Sequence, residues 1–285
     1  MEGFLKLPEG PELKHSRDVL TSQIVGCAIK PMVFLGRYAQ IPPIGYDELI
    51  QRIVENTVVI DAINVKGKLM WWDFVATTGQ LFHMLCTYGM SGQWTLKLPD
   101  KHAACIIPIE RLDRDEPRIV SFRDPRHFGT LKFVSTVELD KKQRSLGPDM
   151  LGDPPALDVF TAIMKKHPTL TVAQALMKQN IISGVGNYIK AEALYRARVS
   201  PHRTLGSLTD IEMGLLYHEI TAVMREAYQA KGATIRSYRT PQGDVGAAQF
   251  RFQVYGRKVD DFGNVVVREE TLDKRTTHWV PMLQR

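Results

Sequence analysis

Between Val58 and Val134 the chain carries short apolar or alternating runs at Val58–Val65, Leu69–Val75, Gln80–Cys86, Ala104–Ile109, Ile119–Phe122 and Gly129–Val134. Turn clusters such as TTG, YGMSG and KLPDKH separate them. Strands this short and this regularly spaced bury an apolar face only by packing on one another, which points to a β-sandwich or barrel. At SLGPDMLGDPP (145–155) the pattern changes. Beyond that Gly/Pro/Asp cluster the apolar residues follow a helical period over Leu157–Lys166, Val172–Lys178, Tyr188–Ala197 and Thr209–Lys231. The last of these opens with Thr209 ahead of Glu212, a capping-box signature. Two helices, Pro11–Val25 and Tyr46–Glu55, precede the strands, and the tail VDDFGNVVVREETLDKRTTHWV reads turn, strand, turn, strand. The class is therefore α+β, a strand-rich half joined through a hinge to a helical half, and 285 residues suit one large or two ordinary domains.

Charge divides along the same line. Residues 1–159 carry 19 Lys and Arg against 20 Asp and Glu, and residues 160–285 carry 18 against 11, so the net +6 resides in the second half. A basic half attached to a neutral one suits a polyanion. Cys27, Cys86 and Cys105 are scattered among apolar neighbours and form no CxxC pair, so buried free thiols are expected and a cysteine-held zinc site is not. No apolar stretch has the length of a membrane span, and MEGFLKL is too short and too weakly apolar for a secretory signal, so the expectation is a soluble intracellular protein.

Several stretches could carry chemistry. PEGPE (8–12) reads on its own as a helix start, with proline in the first turn and acidic groups at the positive end of the dipole. If Pro8 were chain-terminal, its secondary amine would be nucleophilic near neutral pH and could form an iminium at an anomeric carbon, with Glu9 moving protons. SGVGNYIKAEALYR places Asn187 after a Gly-containing turn at the mouth of a helix, as an N-cap or a phosphate site. In RDPRHFG, Arg126 and Phe128 share one side of a turn and read either as a wedge for a base stack or as an ion pair and a core ring. Met90, between the glycines of YGMSG, is a third probe or a gap filler. Lys66 and Lys68 flank a turn, and Lys274 and Arg275 occupy a hairpin tip, where solvated charges are the default and a phosphate grip is the alternative.

The order of these motifs is more specific than any one of them. PEGPE, KGK, GMSG, DPR-x-FG, LGP, GVGN-x-x-x-AE, VYGRK and KRT resemble the formamidopyrimidine-DNA glycosylase / endonuclease VIII family from Pro8 to about Gln284. The resemblance implies an N-terminal β-sandwich domain, a helical domain with a helix-two-turns-helix motif and a β-hairpin finger, clamped as a monomer on duplex DNA that holds oxidised bases or abasic sites. It implies a bifunctional glycosylase and abasic-site lyase of base-excision repair that needs no cofactor. Pro8 would be the Schiff-base nucleophile, Glu9 the acid/base that opens the sugar, and Glu12 the second acidic residue of the segment. Lys68 would serve β-elimination and phosphate contact, and Arg275 the finger phosphate and δ-elimination. Asn187 would bind phosphate, Met90, Arg126 and Phe128 would fill the void left by the flipped nucleotide, and His102 would contact DNA. Expected boundaries are a leader at 1–7, removed or misassigned as the start, then a catalytic domain at 8–145, a hinge at 146–156, the helix-two-turns-helix domain at 157–248 and the finger at 249–285. The location would be cytoplasmic, at the nucleoid, or nuclear in a eukaryote.

Three departures qualify the resemblance. Residues 1–7 would make the Pro8 nitrogen an amide, leaving a lesion-binding protein without lyase activity. The finger lacks the four zinc cysteines of many members; Trp279 and Met282 stand where the last pair would be, so a zincless finger that buries Val, Trp and Met is expected. His127 replaces a second arginine. Gly10 leans toward the endonuclease VIII branch and hence toward oxidised pyrimidines and hydantoins, whereas the full Met90, Arg126 and Phe128 wedge also occurs in guanine-oriented members and keeps oxidised purines as the alternative.

Overall fold

The computed structural model describes residues 8–111, 114–232, 241 and 252–285; the leader and the expected boundary at 248 lie outside them. The first half begins with α1 (Gly10–Ile24), β1 (Ala28–Ile29), β2 (Val33–Phe34) and α2 (Tyr46–Glu55). It continues through β3 (Val58–Lys66), β4 (Leu69–Ala76), β5 (Leu81–Thr87), β6 (Gln93–Thr95), β7 (Ala103–Arg111), β8 (Arg114–Arg123) and β9 (Thr130–Val134), then α3 (Thr136–Arg144).

The strands form one antiparallel sheet in the order β6-β8-β7-β1-β3-β4-β5-β9, with β2 on the side of β7. Along that order Trp72 of β4 and Trp94 of β6 lie five strand spacings apart, roughly 24 Å in a flat sheet. Their ring centroids are 4.5 Å apart. The sheet therefore folds over on itself into two facing layers around Trp72, Trp94, Phe74 and Phe122. Cys27, Cys86 and Cys105 are free and buried in this half.

The second half packs α4 (Leu157–Lys165), α5 (Val172–Met177), α6 (Asn187–Arg196) and α7 (Asp210–Gln229) around a separate core. Thr209 and Glu212 do form the capping box that starts α7: Glu212 N donates to Thr209 Oγ1 at 3.2 Å and Thr209 N to Glu212 Oε2 at 2.8 Å. The segment between the halves is pinned. Gly147 N donates to Gln179 O at 2.9 Å, Ser183 N to Pro148 O at 2.8 Å, and Met150 is buried. Gln179 orders the turns between α5 and α6, accepting from Gly184 N and donating to Val185 O, each at 3.0 Å. Among the described residues no helix is long and apolar enough to cross a membrane.

The tail forms the hairpin of β10 (Val267–Glu270) and β11 (Thr276–Trp279). Val266 and Val280 are buried beside it, and Trp279 packs edge-on against His202 and donates to Glu269 Oε1 at 2.6 Å. Met282 is 75 % exposed and takes no part in this packing, contrary to expectation. It lies past β11 in the final turn, outside the face that the strand alternation sets.

Candidate active site

Pro8 and Glu9 enter α1, and Glu12 closes its first turn by accepting from Glu9 N at 2.9 Å. The Glu9 carboxylate turns away from its own helix toward α6. Its oxygens accept from Tyr188 N at 2.9 Å and Ile189 N at 3.3 Å, amides with no partner within their own helix. An anion at a helix N-terminus meets the positive end of the dipole. Glu12 accepts from the Tyr188 hydroxyl at 3.0 Å. The opening acidic segment and the start of α6, 179 residues later, are thus one polar unit.

This proximity requires glycine at two positions. A Cβ on Gly186 would lie 2.2 Å from Glu9 Cδ and 2.5 Å from each carboxylate oxygen. A Cβ on Gly10 would lie 2.9 Å from Met224 Cε and 3.1 Å from the Gly184 backbone, to which Gly10 N donates at 3.0 Å. Close packing is thus one reason for glycine at position 10 of PEGPE.

Burial dominates the electrostatics. It pushes the Glu9 carboxyl up to about 7, with Glu12 adding repulsion and the Lys68 charge opposing both. Burial pushes the Lys68 ammonium down from its ordinary value, Glu9 pulls it back up, and Arg275 pushes it down. Raising the carboxyl and lowering the amine are the directions that favour acid/base chemistry at such a site.

Pro8 and Lys68 share the wall of a cavity of about 300 Å³ with Thr87, Gly89, Lys142 and Gln179. Lys66, read from sequence as a solvated strand end, instead donates from Nζ to Gln143 O at 3.1 Å and fixes the end of α3. Arg275 is exposed in the β10–β11 turn. Asn187 opens α6 and donates from Nδ2 to Thr276 O at 2.8 Å, holding the finger beside the site.

Met90, His102, Arg126 and Phe128 gather on a neighbouring rim. Phe128 is 55 % exposed, which rules out the core reading, and Arg126 Cζ lies 5.3 Å from its ring centroid. The turn that carries them is braced by Asp124, which accepts from Ser91 Oγ at 3.1 Å and Gly129 N at 2.7 Å. Arg126 N donates to Ser91 Oγ at 3.2 Å, tying it to the half-buried Met90 turn. Asp124 N donates to His102 O at 2.9 Å, placing His102 beside the same turn. Gly89, on the cavity wall, abuts Phe128 O, so the rim adjoins the cavity. His127 holds φ 58° between the two rim residues.

Sequence reasoning missed Lys142, Gln179, Lys190, Glu192 and Asp273. Glu192 accepts from Gln253 N, Val254 N and Tyr255 N at 2.8, 3.0 and 2.8 Å and ties the finger to α6. Its signal was present in the AE of GVGN-x-x-x-AE. Lys190 and Asp273 form an ion pair with no local signature. Among the described residues no group of three or more His, Cys, Asp or Glu is placed to hold a metal ion.

Comparison with known proteins gives a consistent result. Family models match for the formamidopyrimidine-DNA glycosylase N-terminal domain over residues 7–131, the H2TH domain over 146–239 and the C-terminal domain over 243–285. The chain is 34 % identical over 212 residues to the formamidopyrimidine-DNA glycosylase of Novosphingobium aromaticivorans, covering 72 % of this chain and 74 % of that one. It is 31 % identical over 248 residues to that of Erythrobacter litoralis, covering 84 % and 86 %. The MutM (Fpg) protein of Thermus thermophilus superposes with a TM-score of 0.81 at 29 % identity, over 97 % of this chain and 98 % of the other. A Lactococcus lactis FPG mutant, solved in complex with a Fapy-dG containing DNA, shares the fold with a TM-score of 0.82 at 24 % identity, over 98 % and 100 %.

Proposed function

The chain belongs to the formamidopyrimidine-DNA glycosylase family, and on that premise we propose that it is a bifunctional glycosylase and abasic-site lyase acting on oxidised bases in duplex DNA. One observation carries the reading. A single cavity has Pro8 and Lys68 on its wall and the buried, near-neutral Glu9 carboxyl next to them.

With Pro8 as the first residue, its nitrogen is a secondary amine with a free lone pair. It attacks C1′ of an extruded nucleotide; the C1′–N bond breaks, and the base leaves with the electron pair and takes up a proton. Glu9 protonates O4′, the sugar ring opens, and C1′ becomes an iminium on Pro8. The iminium acidifies the C2′ proton, Lys68 removes it, and the C3′–O bond breaks to release the 3′ phosphate. Loss of the C4′ proton then breaks the C5′–O bond, and the Arg275 guanidinium takes the charge that grows on the departing phosphate.

Extrusion costs a few kcal/mol. Met90, Arg126 and Phe128 fill the vacated stack and offset part of it, Asn187 and the basic second half grip phosphates, and His102 supplements that contact. We further propose that the finger is zincless, a reading supported by Glu269, which pairs with His202 Nε2 and accepts from Trp279 Nε1. Action on DNA implies an intracellular location.

For lesion class we propose oxidised pyrimidines and hydantoins, on the strength of Gly10 in PEGPE. The test is excision by protein beginning at Pro8 from duplexes that each carry one oxidised base. The expected result is release of pyrimidine and hydantoin lesions, with phosphates on both new ends. Faster release of an oxidised purine would overturn the lesion class, and release of none would overturn the activity.

A further inference from the structure

The finger is fastened to α6 by a contact that the mechanism above does not use. Lys190, three residues after Asn187, donates from Nζ to Asp273 Oδ2 at 2.6 Å, and the two side chains are 0 % and 3 % exposed. Desolvating both partners costs about as much as their attraction returns, so net stabilisation does not account for such a pair. Its location does. Asp273 sits in the hairpin turn, where the Thr271 hydroxyl donates to its other oxygen, Thr271 N donates to Arg275 O at 3.1 Å and Lys274 N to Thr271 O at 2.9 Å. On the far side Asn187 Nδ2 holds Thr276 O. One helix therefore grips the hairpin at 273 and 276 and fixes the backbone of Arg275 between them. The same helix holds the Glu9 carboxylate through Tyr188 N and Ile189 N.

We infer that the Lys190–Asp273 pair is a latch that registers the Arg275 guanidinium against the catalytic cavity, making both residues positioning residues for the second elimination. This rests on the activity proposed above. Arg275 is exposed at a hairpin tip, and such a side chain reaches a departing phosphate reproducibly only if its backbone is fixed. The first elimination depends on Pro8 and Lys68, which lie on other elements and which Arg275 reaches only through its field, so the latch bears mainly on the second elimination. The field of Arg275 is felt at Lys68 and at Lys190 alike, consistent with the finger tip standing over the site.

The test uses active protein and a labelled duplex with one abasic site, and it scores phosphate ends against unsaturated-aldehyde ends. Lys190→Met should lower formation of the second product on the order of tenfold or more, the loss also expected of Arg275→Ala, while first strand cleavage changes far less. Lys190→Met combined with Arg275→Ala should be no worse than Arg275→Ala alone, because Lys190 acts through Arg275. Asp273→Asn keeps an acceptor for Lys190 and should retain more second product; it also provides a reading if Lys190→Met folds poorly. An unchanged product ratio in both latch variants, equal loss of both steps, or additivity with Arg275→Ala would overturn the latch. No cleavage by the unsubstituted protein would overturn the proposed activity, and the latch with it.

Discussion

Glu9→Gln should cut base excision by roughly 10²–10⁴-fold while cleavage of a preformed abasic site largely survives. Glutamine cannot deliver the proton that opens the sugar once the base has left. An abasic sugar already equilibrates with its open aldehyde, so the Pro8 amine condenses with it unaided. The sign of the pH dependence follows from the direction in which Glu9 is shifted. Burial raises its carboxyl to about 7, and the acid role needs the protonated form, so excision should show a falling limb as pH rises through that value, while deprotonation of the Pro8 amine sets the rising limb at lower pH. Glu9→Gln should lack this falling limb, and cleavage of the abasic substrate should not show it in the unsubstituted protein. Single-turnover excision and abasic-site cleavage, measured side by side across the neutral range, check both statements. Equal loss on the two substrates would assign Glu9 a different role.

Gly186→Ala should disable excision through a single added methyl group. The new Cβ would stand 2.2 Å from Glu9 Cδ, and it cannot move away without withdrawing the Tyr188 and Ile189 amides from the carboxylate. Overpacking of this kind costs about 1–3 kcal/mol, and the displaced carboxylate should carry most of the excision activity with it. Gly214→Ala on α7 is the matched control. Its Cβ would meet only Leu157 Cδ2, at 3.8 Å, and a helical Gly→Ala change gains roughly 0.5–1 kcal/mol. Denaturant midpoints of the two variants should move in opposite directions, and only Gly186→Ala should lose excision activity. A Gly186→Ala protein that matches the unsubstituted one would mean that α6 does not hold Glu9 as described.

Wherever periodicity reports on burial, the sequence reading locates the elements. β3, β4, β5 and β9 start and stop close to where alternation and turn residues put them, and α2, α4 and α7 follow their apolar stripes. Elements without that signal were missed. α3 buries only Leu139 along VELDKKQR and has no stripe to find, although Ser135 and Glu138 spell its capping box. β1, β2 and β6 are two or three residues long and exist through their partners in the sheet. The hinge motif reads as a linker because Gly, Pro and Asp favour turns, yet its backbone is tied to Gln179 and Ser183.

The site divides in the same way. Pro8, Glu9, Lys68, Asn187 and Arg275 were picked out by the order of their motifs, and the fold brings their segments to one cavity and its margin. The contacts that make the site a unit join α1 to α6 and α6 to the finger. Lys190 and Asp273 are separated by 83 positions and look like ordinary surface charges in a linear reading. Gly10 was read as a marker of lesion class, and close packing on Gly184 and Met224 explains it independently.

The reactive group assigned to Pro8 exists only if no residue is attached to its nitrogen. In the 285-residue chain Leu7 precedes it, and an amide nitrogen has no basic lone pair with which to form an iminium. The decisive measurement is borohydride trapping on an abasic duplex, with protein whose first residue is verified as Pro8 compared with protein that retains residues 1–7, and the adduct mapped by mass. The expected result is a covalent adduct on the Pro8 nitrogen of the shorter protein and none from the longer. An adduct at Lys68, or no adduct from the protein that begins at Pro8, would contradict it.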